Sequence, residues 1–174
     1  MALPSPELPD SAGTDGLGPF LEGGDVLVLG KHVFVGRSGL ASDNAGHRWL
    51  AKYLRPQGYT AQQVLLEPHV LHLDCAIGLV REGLLVVCED RLPQGIPVLL
   101  RDWDRVTVTE EEAEALGTNG LSISSDVYIT DPAFARIGAE LIRRGLTVEY
   151  VDFEISRSLG GSFRCSTQPL TRID

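Results

Sequence analysis

Strand pairs recur along this chain at a nearly constant interval. The segments from Asp25 (DVLVLGKHVFVG), Asp74 (DCAIGLVREGLLVV) and Thr118 (TNGLSISSDVYIT) each read as strand, tight turn and strand, and a fourth candidate start lies at Phe163 in GSFRCST. The successive intervals are 49, 44 and 45 residues. Between the hairpins the periodicity predicts a helix and a further strand: Asn44 to Leu54 then Ala61 to Leu66, and Ala133 to Arg143 then Thr147 to Val151. The middle unit is less regular, with a strand at Val106 to Val108 followed by a helix at Glu110 to Leu116. Gly58 and Gly145 stand just past two of the helices, where a left-handed residue closes a helix. One hairpin and one helix cannot bury their apolar faces alone, so a repeat of this length implies modules stacked in a solenoid, propeller or ring of α/β or α+β class.

Rotation of such modules about an axis would bring equivalent strand starts together. Asp25, His72, Asp74, Asn119 and Cys165 all stand at or beside a module start, so polar groups far apart in sequence are expected to converge. Ahead of the modules, residues 1–19 are rich in Pro, Gly, Ser and Asp and read as a disordered leader, leaving 20–174 as the folded domain.

The composition, 43% hydrophobic and 22% charged over 174 residues, is that of a soluble domain able to bury one core. A formal charge of -9 argues against nucleic acid as a partner, since phosphate binding needs a basic footprint. No apolar run is long enough to span a bilayer, and the N-terminus has neither a secretory nor a transit pattern. Three cysteines without CxxC spacing fit a reduced protein, and a cytoplasmic location is the expectation. HxxxH, paired cysteines, EF-hand and glycine-rich phosphate motifs are missing, so neither a metal nor a cofactor is expected.

Cys165 lies in LGGSFRCSTQPL among glycines and hydroxyls, a setting for a reactive thiol; the competing account is a small buried hydrophobe. Cys75 and Cys88 sit inside apolar runs and read as core. His72 is followed at i+2 by Asp74, which on a strand would point to the same side and could orient the imidazole, although a core or strand-end histidine is the plainer account. His32, His47 and His69 have no such neighbour and read as surface or turn residues. In FLEGGD, Glu22 and Asp25 either end a turn or offer carboxylates to a cationic guanidinium through paired hydrogen bonds.

Taken together, FLEGGDVLVLGKHVFVGRS, LHLDCA, LGTNGLSI and LGGSFRCSTQPL resemble, in order and spacing, the guanidine-modifying superfamily of penteins. Its members include arginine-glycine and inosamine-phosphate amidinotransferases, arginine deiminases and dimethylarginine hydrolases. The resemblance implies an α+β fold that is a partial α/β propeller, with about three of roughly five small modules present. By motif it implies Cys165 as nucleophile toward the guanidine carbon, His72 as general acid and then base, and Asp25 as the carboxylate that binds the guanidinium. Asp74 would support His72, and Glu22, Asn119 and Arg37 would contact substrate. Amidino transfer from arginine or a related guanidine to an amine acceptor is the leading expectation, and hydrolysis of the same intermediate is the second. A third is a non-catalytic remnant or assembly subunit, because the N-terminal modules of the family's pattern have no counterpart here. The partners implied are a small guanidine, an amine acceptor, and a further copy or upstream segment that completes the ring. Arg164 stands where the family's transferases often carry histidine.

Overall fold

The computed structural model describes residues 18–168, so the leader expected over 1–19 falls almost wholly outside the described residues. Three three-stranded sheets follow one another along the chain. The first contains β1 (Val26–Leu29), β2 (His32–Arg37) and β3 (Thr60–Leu65). The second contains β4 (Ile77–Arg81), β5 (Leu84–Val87) and β6 (Asp104–Thr107), and the third β7 (Leu121–Ser122), β8 (Val127–Thr130) and β9 (Thr147–Tyr150). In every sheet an antiparallel hairpin is extended by a parallel third strand, as in Val33↔Ala61, Val86↔Val106 and Tyr128↔Val148. The three modules expected from the repeat are therefore present, with strand ends within a few residues of the sequence reading.

The middle strands of the first two sheets show why these segments pair as they do. Residues 33–36 of β2 and all of β5 are buried, and a strand covered on both faces is selected as a continuous apolar run, as in VFVG and LLVV.

Helix α1 (Asn44–Leu54) has the bounds expected, and Asp43 caps it by accepting from the Gly46 N–H at 2.6 Å. A 3₁₀ turn follows and ends at Gly58 with φ 80°, the left-handed residue anticipated there. In the third module Asp131 caps a 3₁₀ turn over Pro132–Phe134 that leads into α3 (Ala135–Arg143), and Gly145 follows with φ 85°. The helix expected over 133–143 thus begins two residues later, because the segment opens as a 3₁₀ turn. The second module carries 3₁₀ turns at Glu89–Arg91 and Val98–Leu100 where the others carry a helix. After β6 comes the short α2 (Glu110–Glu114), closed at its start by a reciprocal capping box between Thr109 and Glu112.

The described chain forms two compact units. One comprises the described residues through Ala76 together with Glu89–Pro97; the other comprises Ile77–Cys88 and the residues from Val98 onward. In the first unit Leu27, Val33, Phe34, Val35, Val64 and Leu73 are buried. In the second, Val80, Leu84, Val86 and Val106 pack with Tyr128, Phe134, Ile137 and Leu141 in one apolar cluster. Its α4 (Glu154–Ser158) exposes Ile155, and the segment around Phe163, read as a fourth strand start, is instead a turn over 163–166. No helix among the described residues is long and apolar enough to cross a membrane.

Candidate active site

In the first unit the polar residues expected to matter gather around the entrance to β1. Asp25 is the last residue of a 3₁₀ turn, Gly23–Asp25, that feeds directly into that strand. Its side chain is 1% exposed. Oδ1 accepts from the Leu73 N–H at 2.9 Å and Oδ2 from the Ser42 N–H at 3.3 Å. Burial pushes the Asp25 carboxyl from 3.8 up to about 6, while hydrogen bonding from Ser42, the positive charge of His72 and the Leu73 N–H pull the other way. A carboxylate held this way is a fixed acceptor.

His72 precedes a second 3₁₀ turn, Leu73–Cys75, which feeds β4. Its Nε2 lies 2.7 Å from Oε2 of Glu22, with the imidazole 15% exposed and the Glu22 side chain 55% exposed. The strand expected around His72 and Asp74 is absent, because residues 73–75 coil into the 3₁₀ turn and break the period of two. Glu22, expected as a substrate contact, is the carboxylate bound to His72. Asp74 is 2% exposed and accepts from the Cys75 thiol at 3.8 Å. His72, Asp74 and Cys75 bring one ligand atom each within 4.8 Å of one another, so by position they are the group among the described residues that could hold a metal ion.

Two further features build this arrangement, one of them, Ser42, without any motif signal. Ser42 acts as a clip: its N–H binds Asp25 while its Oγ accepts from the Glu22 N–H at 3.0 Å. Gly24 and Gly36 are required by close approach. A Cβ on Gly24 would stand 2.6 Å from the His72 ring, and one on Gly36 would collide with Asp25 Oδ1 and stand 2.8 Å from Leu73 Cβ. The second glycine of EGGD and the G of VGRS are thus space for other residues. Arg37, at the end of β2, lines a separate pocket of about 340 Å³ with Ser42, Asp43, Asn44 and Arg48, and its Nε is buried without a hydrogen-bond partner among the described residues. Of the other histidines, His32 is exposed and bonded to Thr60 Oγ1, His47 is half-buried on α1, and His69 is exposed.

In the second unit Cys165 stands on the 163–166 turn as an exposed free thiol, whereas Cys88 there and Cys75 in the first unit are buried. Its Sγ lies 3.6 Å from Asn119 Oδ1. Asn119 is 0% exposed and sits two residues before β7, the position that matches the 3₁₀ entrances of the other modules. Arg164, beside the thiol, is half-buried.

The model of the family described as N,N dimethylarginine dimethylhydrolase, eukaryotic, matches residues 5–172. Among curated relatives, the protein YkgA of Bacillus subtilis is 34% identical over 153 residues, covering 87% of this chain and 52% of the relative. Inosamine-phosphate amidinotransferase 1 of Streptomyces griseus is 26% identical, covering 88% of this chain and 47% of the relative. The solved structure of SxtG, an amidinotransferase from Microseira wollei in the saxitoxin biosynthetic pathway, shares the fold with a TM-score of 0.80 at 20% identity, over 97% of this chain and 56% of that one. The chain spans about half the length of the curated relatives it matches. Its three modules are a part of the pentein propeller, and the chain belongs to the family described as N,N dimethylarginine dimethylhydrolase, eukaryotic.

Proposed function

We propose that this chain carries the reacting groups of a guanidine-modifying enzyme that works through a covalent amidino-cysteine. The observation that carries the reading is the first-unit constellation: a buried Asp25 fixed by two N–H groups, beside a His72 bonded to Glu22. A guanidinium is a planar cation with paired donors, and Asp25 presents the acceptor it requires. His72, with Glu22 to hold its ring, has the partner needed for general acid and base work.

In the first half-reaction the Cys165 sulfur, as thiolate, forms a bond to the guanidine carbon, whose positive charge makes it electrophilic. The tetrahedral adduct collapses as the carbon–nitrogen bond to the departing amine breaks and His72 supplies the proton that amine needs. Cys165 is left as an amidino thioether. In the second half-reaction His72, now neutral, takes a proton from the incoming nucleophile as it attacks the same carbon. The carbon–sulfur bond then breaks and the thiolate is restored.

Hydrolysis, with water as the nucleophile and a ureido product, is the reading favoured by the family match. Amidino transfer to an amine, the leading expectation from the motifs, is supported by the relative from Streptomyces griseus and stays as the second reading. The test is to incubate the purified chain with dimethylarginine or arginine, quench in acid, and map adducts by intact and peptide mass spectrometry. An amidino adduct on Cys165 is expected. A folded chain that gives none, with or without the upstream half of a relative supplied in trans, would leave a non-catalytic assembly subunit as the better reading. Incorporation of oxygen from labelled water, against dependence on an added amine, separates hydrolysis from transfer.

A further inference from the structure

Asn119 is a fully buried amide whose environment is built at some cost. Its segment lies flat on β4 and on the ring of Tyr128 because two neighbours have no side chain. A Cβ on Gly78 would stand 2.5 Å from the Thr118 carbonyl oxygen, and one on Gly120 would stand 2.6 Å from Tyr128 Cε1. The packing leaves Asn119 little room to turn.

What the side chain does there is specific. Oδ1 accepts from the Arg164 N–H at 3.0 Å, and the Asn119 backbone carbonyl shares the same donor at 3.4 Å. The same Oδ1 faces the Cys165 sulfur at 3.6 Å, within reach of a weak S–H contact. Nδ2, at the other end of the amide, is buried without a hydrogen-bond partner among the described residues. A buried amide with an idle donor is costlier than an apolar side chain of the same branched shape, so the core gains nothing from asparagine here. The benefit lies at the acceptor end, which grips the residue next to the thiol. The rest of the turn is fixed independently, by the Phe163 ring stacked on Phe153 at 4.4 Å and by Thr167 Oγ1 donating to the Phe163 carbonyl at 2.7 Å.

We propose that Asn119 is a positioning residue for Cys165: its side-chain oxygen anchors the Arg164 N–H and sets the direction of the adjacent thiol. The anchoring is a property of the second unit alone; its catalytic consequence rests on the reading of Cys165 as the nucleophile. Asn119→Leu removes the acceptor on the same branched skeleton, with two bulkier methyl groups, and Asn119→Asp keeps it. Hydrogen exchange followed by mass spectrometry reads the Arg164 amide, with the β5 amides as an internal control. In the Leu variant Arg164 exchange is expected to rise by about tenfold, the scale of one lost hydrogen bond, with β5 unchanged. Amidino-adduct formation should fall by about 10 to 100-fold while alkylation of Cys165 by iodoacetamide is not slowed, because the thiol is misdirected and still accessible. The Asp variant should retain Arg164 protection. Unchanged Arg164 exchange in a folded Leu variant overturns the proposal. If the Leu variant loses β5 protection as well, the Asp variant decides: Arg164 protection retained there supports the anchor, and protection lost with β5 intact overturns it. Absence of any adduct in the wild-type chain would count against the proposed reaction, while the exchange result still decides the anchor.

Discussion

The imidazole Nε2 of His72 lies 2.7 Å from the carboxylate Oε2 of Glu22, fifty positions apart in the chain. A carboxylate on one ring nitrogen fixes the orientation in which the ring meets the departing amine. Glu22→Gln keeps the shape and removes the charge, so amidino-adduct formation should slow by about 10 to 100-fold, within the range of acid and base assistance. Glu22 is largely exposed, and the melting temperature should hardly move. An unchanged adduct rate in rapid-quench kinetics would remove Glu22 from the reaction.

Asp25 makes stability depend on pH in a defined direction. Its carboxyl is raised from 3.8 to about 6 by burial, so between these values the folded chain binds more protons than the unfolded one. Stability therefore falls as pH rises through that window, and the full cost of a buried anion, about 3 kcal/mol for a shift of this size, is present above it. Asp25→Asn should flatten the slope of unfolding free energy between about pH 4 and 6, as measured by urea denaturation. A variant that keeps the wild-type slope would place the titration elsewhere. Guanidinium pairing needs the ionised form, so adduct formation should rise as pH passes about 6.

Gly24 and Gly36 should respond differently to a single methyl group. At Gly36 the added Cβ meets Asp25 and Leu73, both buried, and Gly36→Ala should cost about 1–3 kcal/mol in chemical denaturation. At Gly24 it meets Cγ, Nδ1 and Cβ of His72, whose side chain is 15% exposed, so the strain falls on the placement of the histidine and not on a fully buried pair. Gly24→Ala should therefore lose adduct rate while stability changes less. Equal losses of stability at both positions would contradict this division.

Cys165 is an exposed residue on a turn, so Cys165→Ser should shift unfolding free energy by no more than about 0.5 kcal/mol. The same change should abolish the covalent adduct, because a serine hydroxyl lacks the acidity and nucleophilicity of a thiol. Adduct formation retained in the serine variant would show that another residue is being modified.

Local signals in the sequence placed the elements well, and relationships at a distance poorly. The bounds of α1 follow from an amphipathic period with a glycine beyond it, and both are properties of neighbouring residues. The fourth candidate start at Phe163 failed because Phe163 stacks on Phe153 and Thr167 Oγ1 donates back to the Phe163 carbonyl, which closes a turn instead of extending the chain. The nearness of Asp74 to His72 is expected from a strand, whereas a 3₁₀ turn at Leu73–Cys75 is what leaves their ligand atoms within 4.8 Å of each other. Ser42 gave no signal at all. Its role depends on the loop after β2 folding back so that one residue reaches both Glu22 and Asp25, and nothing within a few positions of Ser42 encodes that return.

Each sheet draws its three strands from one uninterrupted stretch of chain, and among the described residues no strand waits for a partner from another module. Pairing register is therefore settled inside a module, while Asp25, His72 and Asn119 occupy the short entrances before the first strands. A duplicated module can change what its entrance does without renegotiating a single strand pair. Register and reactivity are thus separately heritable, which lets a lineage alter the chemistry of one module while its copies keep the architecture.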